Sequence, residues 1–195
     1  MVYTMPSFKP KNTKKFVVCH KTNTTLDGKH KELLEEFKKD SNEVVPRLRR
    51  QMKKIINEHS AGMVATVNEN GTPSVSPKAT FFIINEKTIS FGNIRSPNTI
   101  KNILKRPNVE INFIDVLHRK ALRVTGLATY DLKKSFNKKY IKLFNKKFSN
   151  YLSKVSGFVK IKISSVELIL SPLYDDNEIS EREVKKIYLE KFNNL

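Results

Sequence analysis

The chain has 195 residues, 38% of them hydrophobic, and a formal charge of +18. That length fits one domain with decoration at its ends. The longest bulky apolar run, Phe81-Phe82-Ile83-Ile84, is far short of the ~20 residues that a membrane helix needs, and Cys19 as the only cysteine excludes an intrachain disulfide and a cysteine-based metal site.

Residues 1–28 are polar and basic without a sustained period and read as a mobile arm. No apolar stretch follows the start before Phe16-Val17-Val18, so no secretory signal is expected, and the expected location is cytoplasmic. Residues 29–40 place Leu33, Leu34 and Phe37 on one helical face, so residues 1–40 make an arm with a short helix and residues 41–195 the main domain. A second helix is expected over residues 43–59, with Val44, Leu48, Met52, Ile55 and Ile56 inward and Pro46 in its first turn.

The period changes at Ala61. Gly62–Asn68 is β-rich, and Asn70-Gly71 is a strong hairpin signal because both turn positions favour positive φ. The next strand is expected over Pro73–Ile84, with Pro77 marking an edge, a bulge or an interruption. Thr88–Gly92 follows as a third strand. A short helix then starts at Ser96-Pro97, buries Ile100, Ile103 and Leu104, and ends at Pro107.

Strands resume at Val109–Asp115 and Lys120–Tyr130, the second irregular around Gly126. Residues 132–154 read as a basic amphipathic helix whose Phe136, Tyr140, Leu143, Phe144 and Phe148 recur at helical spacing. Between Lys133 and Lys154 the chain has eight lysines and no acid. This could mark a membrane surface or a nucleic-acid contact, but a core-facing aromatic stripe explains it more simply. A long strand over Gly157–Leu170 ends at Ser171-Pro172, and a last helix is expected over Asn177–Phe192, with Ile179, Val184, Ile187 and Tyr188 on its apolar side. The pattern implies a mainly β (α+β) protein, a six-stranded antiparallel split barrel with flanking helices.

Two segments could carry chemistry. The first runs from Gly92 through Asn93, Arg95, Ser96, Pro97 and Thr99 to Lys101. A helix start has amides without intrahelical partners and a favourable dipole, so it suits an anion. Arg95 could add a bidentate phosphate contact, Lys101 a second charge, and Ser96 and Thr99 their hydroxyls. An ordinary capped helix with solvated charges fits the same residues. The second segment, Ser74–Thr80, contains Ser76, Pro77, Lys78 and Ala79. It could offer backbone groups and a lysine to a ring system, or could be a protected edge strand. His20, His30, His59 and His118 show no metal-ligand spacing, no metal site is expected, and no GxSxG elbow, GxGxxG or P-loop motif occurs.

The motifs in Ala65–Phe81, Ile89–Asp115, Arg119–Tyr130 and Leu170–Asp175 occur in an order that resembles the pyridoxamine 5'-phosphate oxidase-like, FMN-binding split-barrel family over residues 43–192. The resemblance implies a homodimer with FMN at the subunit interface. It implies that Ser76, Pro77, Lys78 and Ala79 lie along the isoalloxazine and that Arg95, Ser96, Lys101 and Asn102 hold the phosphate. It also implies that Arg119–Arg123 and Pro172–Tyr174 approach the flavin from the other subunit. The chain lacks tryptophan and the Arg-hydrophobic-His-acid-Arg ending of the true oxidases, so vitamin B6 oxidation is not expected.

The expected function is an FMN-binding oxidoreductase of unknown substrate, acting on a small molecule or a nicotinamide reductant; a deazaflavin in the same barrel is a variant. The alternatives are a non-catalytic flavin-binding scaffold and a basic nucleic-acid-binding small barrel. The last is disfavoured, because the 37 basic residues divide into 29 Lys and 8 Arg spread evenly along the chain.

Overall fold

The change of period at Ala61 is where the sheet begins. A computed structural model describes residues 45–175 and 179–194; the N-terminal arm, its helix at 29–40 and Cys19 lie outside the described residues. The elements are α1 (Arg50–Glu58), β1 (Gly62–Val67), β2 (Pro73–Lys78), β3 (Phe81–Asn85), β4 (Thr88–Asn93), α2 (Pro97–Lys105), β5 (Asn108–Asp115), β6 (Lys120–Leu132), α3 (Lys138–Phe148), β7 (Gly157–Leu170) and α4 (Glu181–Asn193). Short 3-10 turns flank α3 and precede α4.

All seven strands join one antiparallel sheet in the order β2-β1-β5-β6-β7-β4-β3. The strand expected over Pro73–Ile84 is therefore two strands, and the sheet has seven rather than six. β2 and β3 lie at opposite edges, yet only Ala79-Thr80 separates them in the chain. Lys78 and Phe81 can then be at most about 11 Å apart. The sheet must curl until its edges meet, although no ladder joins them.

Thr80 makes the break possible. Its buried Oγ1 donates to the Gly92 carbonyl and accepts from the Gly92 N–H, both at 3.1 Å. The side chain replaces the backbone partner Gly92 would have had beyond the Phe81–Phe91 pair. A Thr80→Val substitution keeps the shape and removes both bonds. It is expected to cost about 1–3 kcal/mol, read as a lower denaturant midpoint at unchanged slope.

The hairpin at Asn70-Gly71 forms, but only Gly71 of the pair takes a positive φ; the Gly71 N–H donates to the Asn68 carbonyl at 2.9 Å, so Glu69 and Asn70 are the central turn residues. Gly71 has φ 86°, and Asn70 Oδ1 accepts from the Thr72 N–H at 3.2 Å and its hydroxyl at 2.7 Å. The start of the helix expected over 43–59 is different. Val45 is extended and bridges Val166, with N–H to carbonyl distances of 3.1 and 2.7 Å, and the helix starts only at Arg50. Pro46 disfavours a helical conformation for the residue before it, so it follows a strand-like residue instead of opening a helix.

Two cores result. Val64, Phe81, Ile89, Phe91, Ile111, Phe113, Leu122, Val124 and Ile161 fill the curled sheet, and Leu48, Met52 and Ile56 of the α1 region close it. On the opposite side of the sheet, Phe82, Phe136, Phe144, Val155 and Phe158 form a second core beneath α3. The Phe136 and Phe158 rings stack at 4.4 Å. The aromatic stripe of the lysine-rich segment thus faces protein, although the helix itself is confined to Lys138–Phe148.

Leu127 and Leu104 point outward, 47% and 68% exposed. In α2, polar Thr99 and Asn102 take inward positions beside Ile100 and Ile103 because they have hydrogen-bond partners there. Helix α4 starts at Glu181, later than expected, where Ser180 and Glu183 form a capping box. Val184 is buried, whereas Ile187 is 50% exposed.

Candidate functional site

The Thr80–Gly92 clamp lays Pro77–Thr80 beside the segment that leaves β4 for α2. Between them is a cleft of about 350 Å³. Pro77, Lys78, Ala79 and Thr80 form one side, and Gly92, Ile94, Arg95 and Ser96 another. Phe148 at the end of α3 and Tyr151 in the turn after it complete the lining. The two segments singled out in the sequence therefore meet in one place.

The cleft is cationic. Lys78 and Arg95 are the charged residues that line it. Among the described residues no carboxylate pairs with either. Lys78 Nζ donates to Ser76 Oγ at 2.5 Å and to the Pro77 carbonyl at 3.3 Å. Burial holds its pKa below the usual lysine value. Ser76 and Thr99 hydroxyls lie 3.1 Å apart, which ties β2 to the first turn of α2. Ser96 stands at the N-cap, but its hydroxyl makes no capping bond, and Pro97 follows it. The amide end of α2 is thus left to whatever else reaches it.

The remaining expected residues sit around this cleft without lining it. Thr99 is buried behind Ser76. Lys101 pairs with Glu69 at 3.0 Å. Hydrogen bonds from Lys105 and Lys101 pull the Glu69 carboxyl down to about 2. Asn102 Nδ2 donates to Thr66 Oγ1 and Asn68 Oδ1, both at 3.0 Å, and so fastens α2 to β1 and its turn. Asn93 donates to Ser156 Oγ at 3.1 Å, while its buried Oδ1 has no hydrogen-bond partner. Arg119–Arg123 and Pro172–Tyr174 do not line the cleft of their own chain.

Two other hollows are less suited to chemistry. A groove of about 400 Å³ between α1, β3 and α3 contains Lys53 and Glu86, which neutralise each other at 2.8 Å. A hollow of about 470 Å³ over the Asn68–Asn70 turn contains the Lys101–Glu69 pair. A buried polar cluster also joins the C-terminal segment to the β5–β6 turn. Asp115 Oδ2 is 2.8 Å from His118 Nδ1 and 3.2 Å from His59 Nε2, and the Tyr174 hydroxyl donates to the His118 carbonyl at 2.5 Å. Lys120 pairs with Glu181. Burial pulls the Lys120 ammonium down to about 7, against the opposing charge of Asp115. Lys120 is only 4% exposed, whereas the His59 and His118 side chains are partly exposed, and the cluster ties the C-terminal segment to the sheet. Among the described residues no group of acids, histidines or cysteines could hold a metal ion, and no helix is long and apolar enough to cross a membrane.

The model of the pyridoxamine 5'-phosphate oxidase family matches residues 48–169, which span the whole sheet and the cleft. The chain belongs to that family. Among solved structures it is similar to HupZ of Group A Streptococcus, with 24% identity over 61% of this chain and 91% of that one and a TM-score of 0.53. It is also similar to an FMN-binding protein from Syntrophomonas wolfei, with 17% identity over 72% and 94% of the two chains and a TM-score of 0.54. At such identities these likenesses establish the split-barrel fold. No curated protein matches the chain.

Five residues lining the cleft were not among the expected ones: Thr80, Gly92 and Ile94, which lie within the two segments singled out in the sequence, and Phe148 and Tyr151, which lie outside them. Phe148 and Tyr151 continue the helical spacing of the aromatic stripe, so nothing in the pattern separates them from core residues.

Proposed function

We propose that this member of the pyridoxamine 5'-phosphate oxidase family binds FMN in the cleft and works as a flavin-dependent oxidoreductase on a substrate other than pyridoxamine phosphate. The observation that carries this reading is the pair of cations, Lys78 and Arg95, that share a cleft with no carboxylate partner among the described residues, beside a helix start without a side-chain cap. A dianionic phosphate would supply the missing charge. The aromatic and aliphatic lining from Ile94, Phe148, Tyr151, Pro77 and Ala79 suits a planar ring system.

In this reading Arg95, Ser96 and the first turn of α2 hold the phosphate, and Ser76–Ala79 run along the ring. FMN, when bound, supplies the electron chemistry. The protein residues do the rest. Thr80 fixes the separation of the two walls through Gly92. Ser76 and Thr99 hold β2 against α2. Asn102 keeps α2 from moving away from β1, and Lys101, one turn in from the helix start, is paired with Glu69 outside the cleft. Asn93 closes the end of β4. Phe148 reduces access of water.

The reading includes a homodimer, with Arg119–Arg123 and Pro172–Tyr174 facing the partner's flavin. Met63, Val75 and Ile114, 41%, 57% and 50% exposed on the outer face of neighbouring strands, support it. Light scattering of the purified protein distinguishes a dimer from a monomer. Turnover with a reduced nicotinamide separates an oxidoreductase from a flavin store.

The test of binding is a visible spectrum and an FMN titration. The reading requires saturable binding with shifted flavin absorbance bands, and a deazaflavin that outcompetes FMN would move the assignment to that coenzyme. Absence of saturable binding of either would sink it. The affinity also depends on pH in a stated direction. The Lys78 ammonium is easier to deprotonate than an ordinary lysine, and only its charged form attracts a phosphate. FMN binding is therefore expected to weaken as pH rises through the Lys78 pKa, and a Lys78→Gln variant should lose that part of the pH profile.

A further inference from the structure

We infer that Tyr151 is a cofactor-contacting residue whose phenol ring covers the exposed side of the flavin, an inference that rests on the FMN reading above. Several observations single it out. Tyr151 lines the cleft that also contains Lys78 and Arg95. It is 46% exposed, and it does not belong to the aromatic core beneath α3. Its neighbour in the cleft, Phe148, is engaged in packing, with its ring 5.3 Å from that of buried Phe144 and its side chain resting on the second core. Tyr151 makes no such contact, and its hydroxyl makes no hydrogen bond among the described residues. An aromatic side chain on the rim of a cleft, with no ring contact and no hydrogen bond among the described residues, is free to stack on a planar ligand.

The position is set by the fold. The 3-10 turn Ser149–Lys154 returns the chain from α3 to β7, and Lys133 Nζ donates to the Leu152 carbonyl inside it. Lys133 is itself joined to the start of β7 by its N–H, which donates to the Ser156 carbonyl at 3.1 Å. The turn is therefore held to the sheet on the side where β4 ends, and Tyr151 projects from a supported backbone.

The test uses full-length protein with Tyr151→Phe and Tyr151→Leu variants, FMN as the ligand, and two readouts. One is the dissociation constant from an absorbance titration. The other is the fluorescence of bound FMN. A phenol in contact with excited flavin donates an electron to it and takes it back, which quenches emission; a phenylalanine ring is too hard to oxidise to do so. The chain has no tryptophan to mask the effect. Tyr151→Phe should keep the affinity within about threefold, because stacking is retained, while bound FMN becomes severalfold brighter. Tyr151→Leu should bind about 2- to 12-fold more weakly and also be brighter. If both variants bind and fluoresce as the wild type does, Tyr151 does not cover the flavin. If the wild type itself fails to bind FMN, the cofactor reading falls as well, and the two failures are told apart by the wild-type titration alone.

Discussion

Arg95→Ala is expected to weaken FMN binding about 10- to 150-fold, corresponding to loss of charge-assisted hydrogen bonds at roughly 1.5–3 kcal/mol. Arg95 is exposed, and no carboxylate of the described residues holds it, so removing it should leave the fold undisturbed. An unchanged melting temperature with a large loss of affinity is therefore the expected combination. Arg95→Lys should recover only part of the loss, because an ammonium is a point charge and cannot make two parallel bonds to a phosphate. Titration of both variants with FMN checks this. Unchanged affinity in Arg95→Ala would remove Arg95 from the site.

Gly126→Ala should have the largest effect on the fold itself. A Cβ at this position would lie 2.4 Å from the Lys162 carbonyl oxygen and 2.8 Å from Ile161 Cγ2. The first contact is with backbone inside the longest strand pair, so it cannot be relieved by a side-chain rotation. A cost of about 3 kcal/mol is expected, which lowers the melting temperature by roughly 6–12 °C. The close approach has a cause in the sheet. The β6–β7 register shifts between Thr125 and Gly126, where Thr125 pairs with Ser165 and Gly126 with Ile163. Ser164 is the additional residue, and its hydroxyl donates to the Thr125 carbonyl at 3.1 Å. Before the bulge β7 buries Phe158, Val159, Ile161 and Ile163; after it the inward residues are Val166 and Leu168. A calorimetric scan of Gly126→Ala without a clear fall in melting temperature would contradict this packing.

The same bulge shows why some of the fold was legible in the sequence and some was not. Alternation puts Val109, Ile111 and Phe113 on one face of a strand, and that face is the buried one. In β6 the alternation is equally regular in space, but Gly126 occupies an inward position with no side chain, so the apolar pattern of Leu122, Val124 and Leu127 is irregular there and Leu127 faces out. Asn70-Gly71 was readable because a positive φ has few residue solutions. The break at Ala79-Thr80 was not, because a threonine side chain acts there as a backbone partner, and no local pattern encodes a bond to Gly92. Pro77 pointed to an interruption without placing it. In the cleft, Lys78, Arg95 and Ser96 were legible because charge and a helix start are local properties. Phe148 and Tyr151 come from a segment more than fifty positions further on, and only the folded sheet brings them there. Asn102 shows the reverse: a polar residue expected at the phosphate is used, within one chain, to hold α2 in place.

A comparison of FMN with riboflavin tests the central claim most directly. The two share a ring system and differ by the phosphate, so their affinity ratio isolates the cationic part of the cleft. Riboflavin is expected to bind at least about tenfold more weakly than FMN at moderate salt, and Arg95→Ala should shrink that gap. Equal affinity of the wild type for FMN and riboflavin, or a gap that Arg95→Ala leaves unchanged, would contradict a phosphate held at the start of α2.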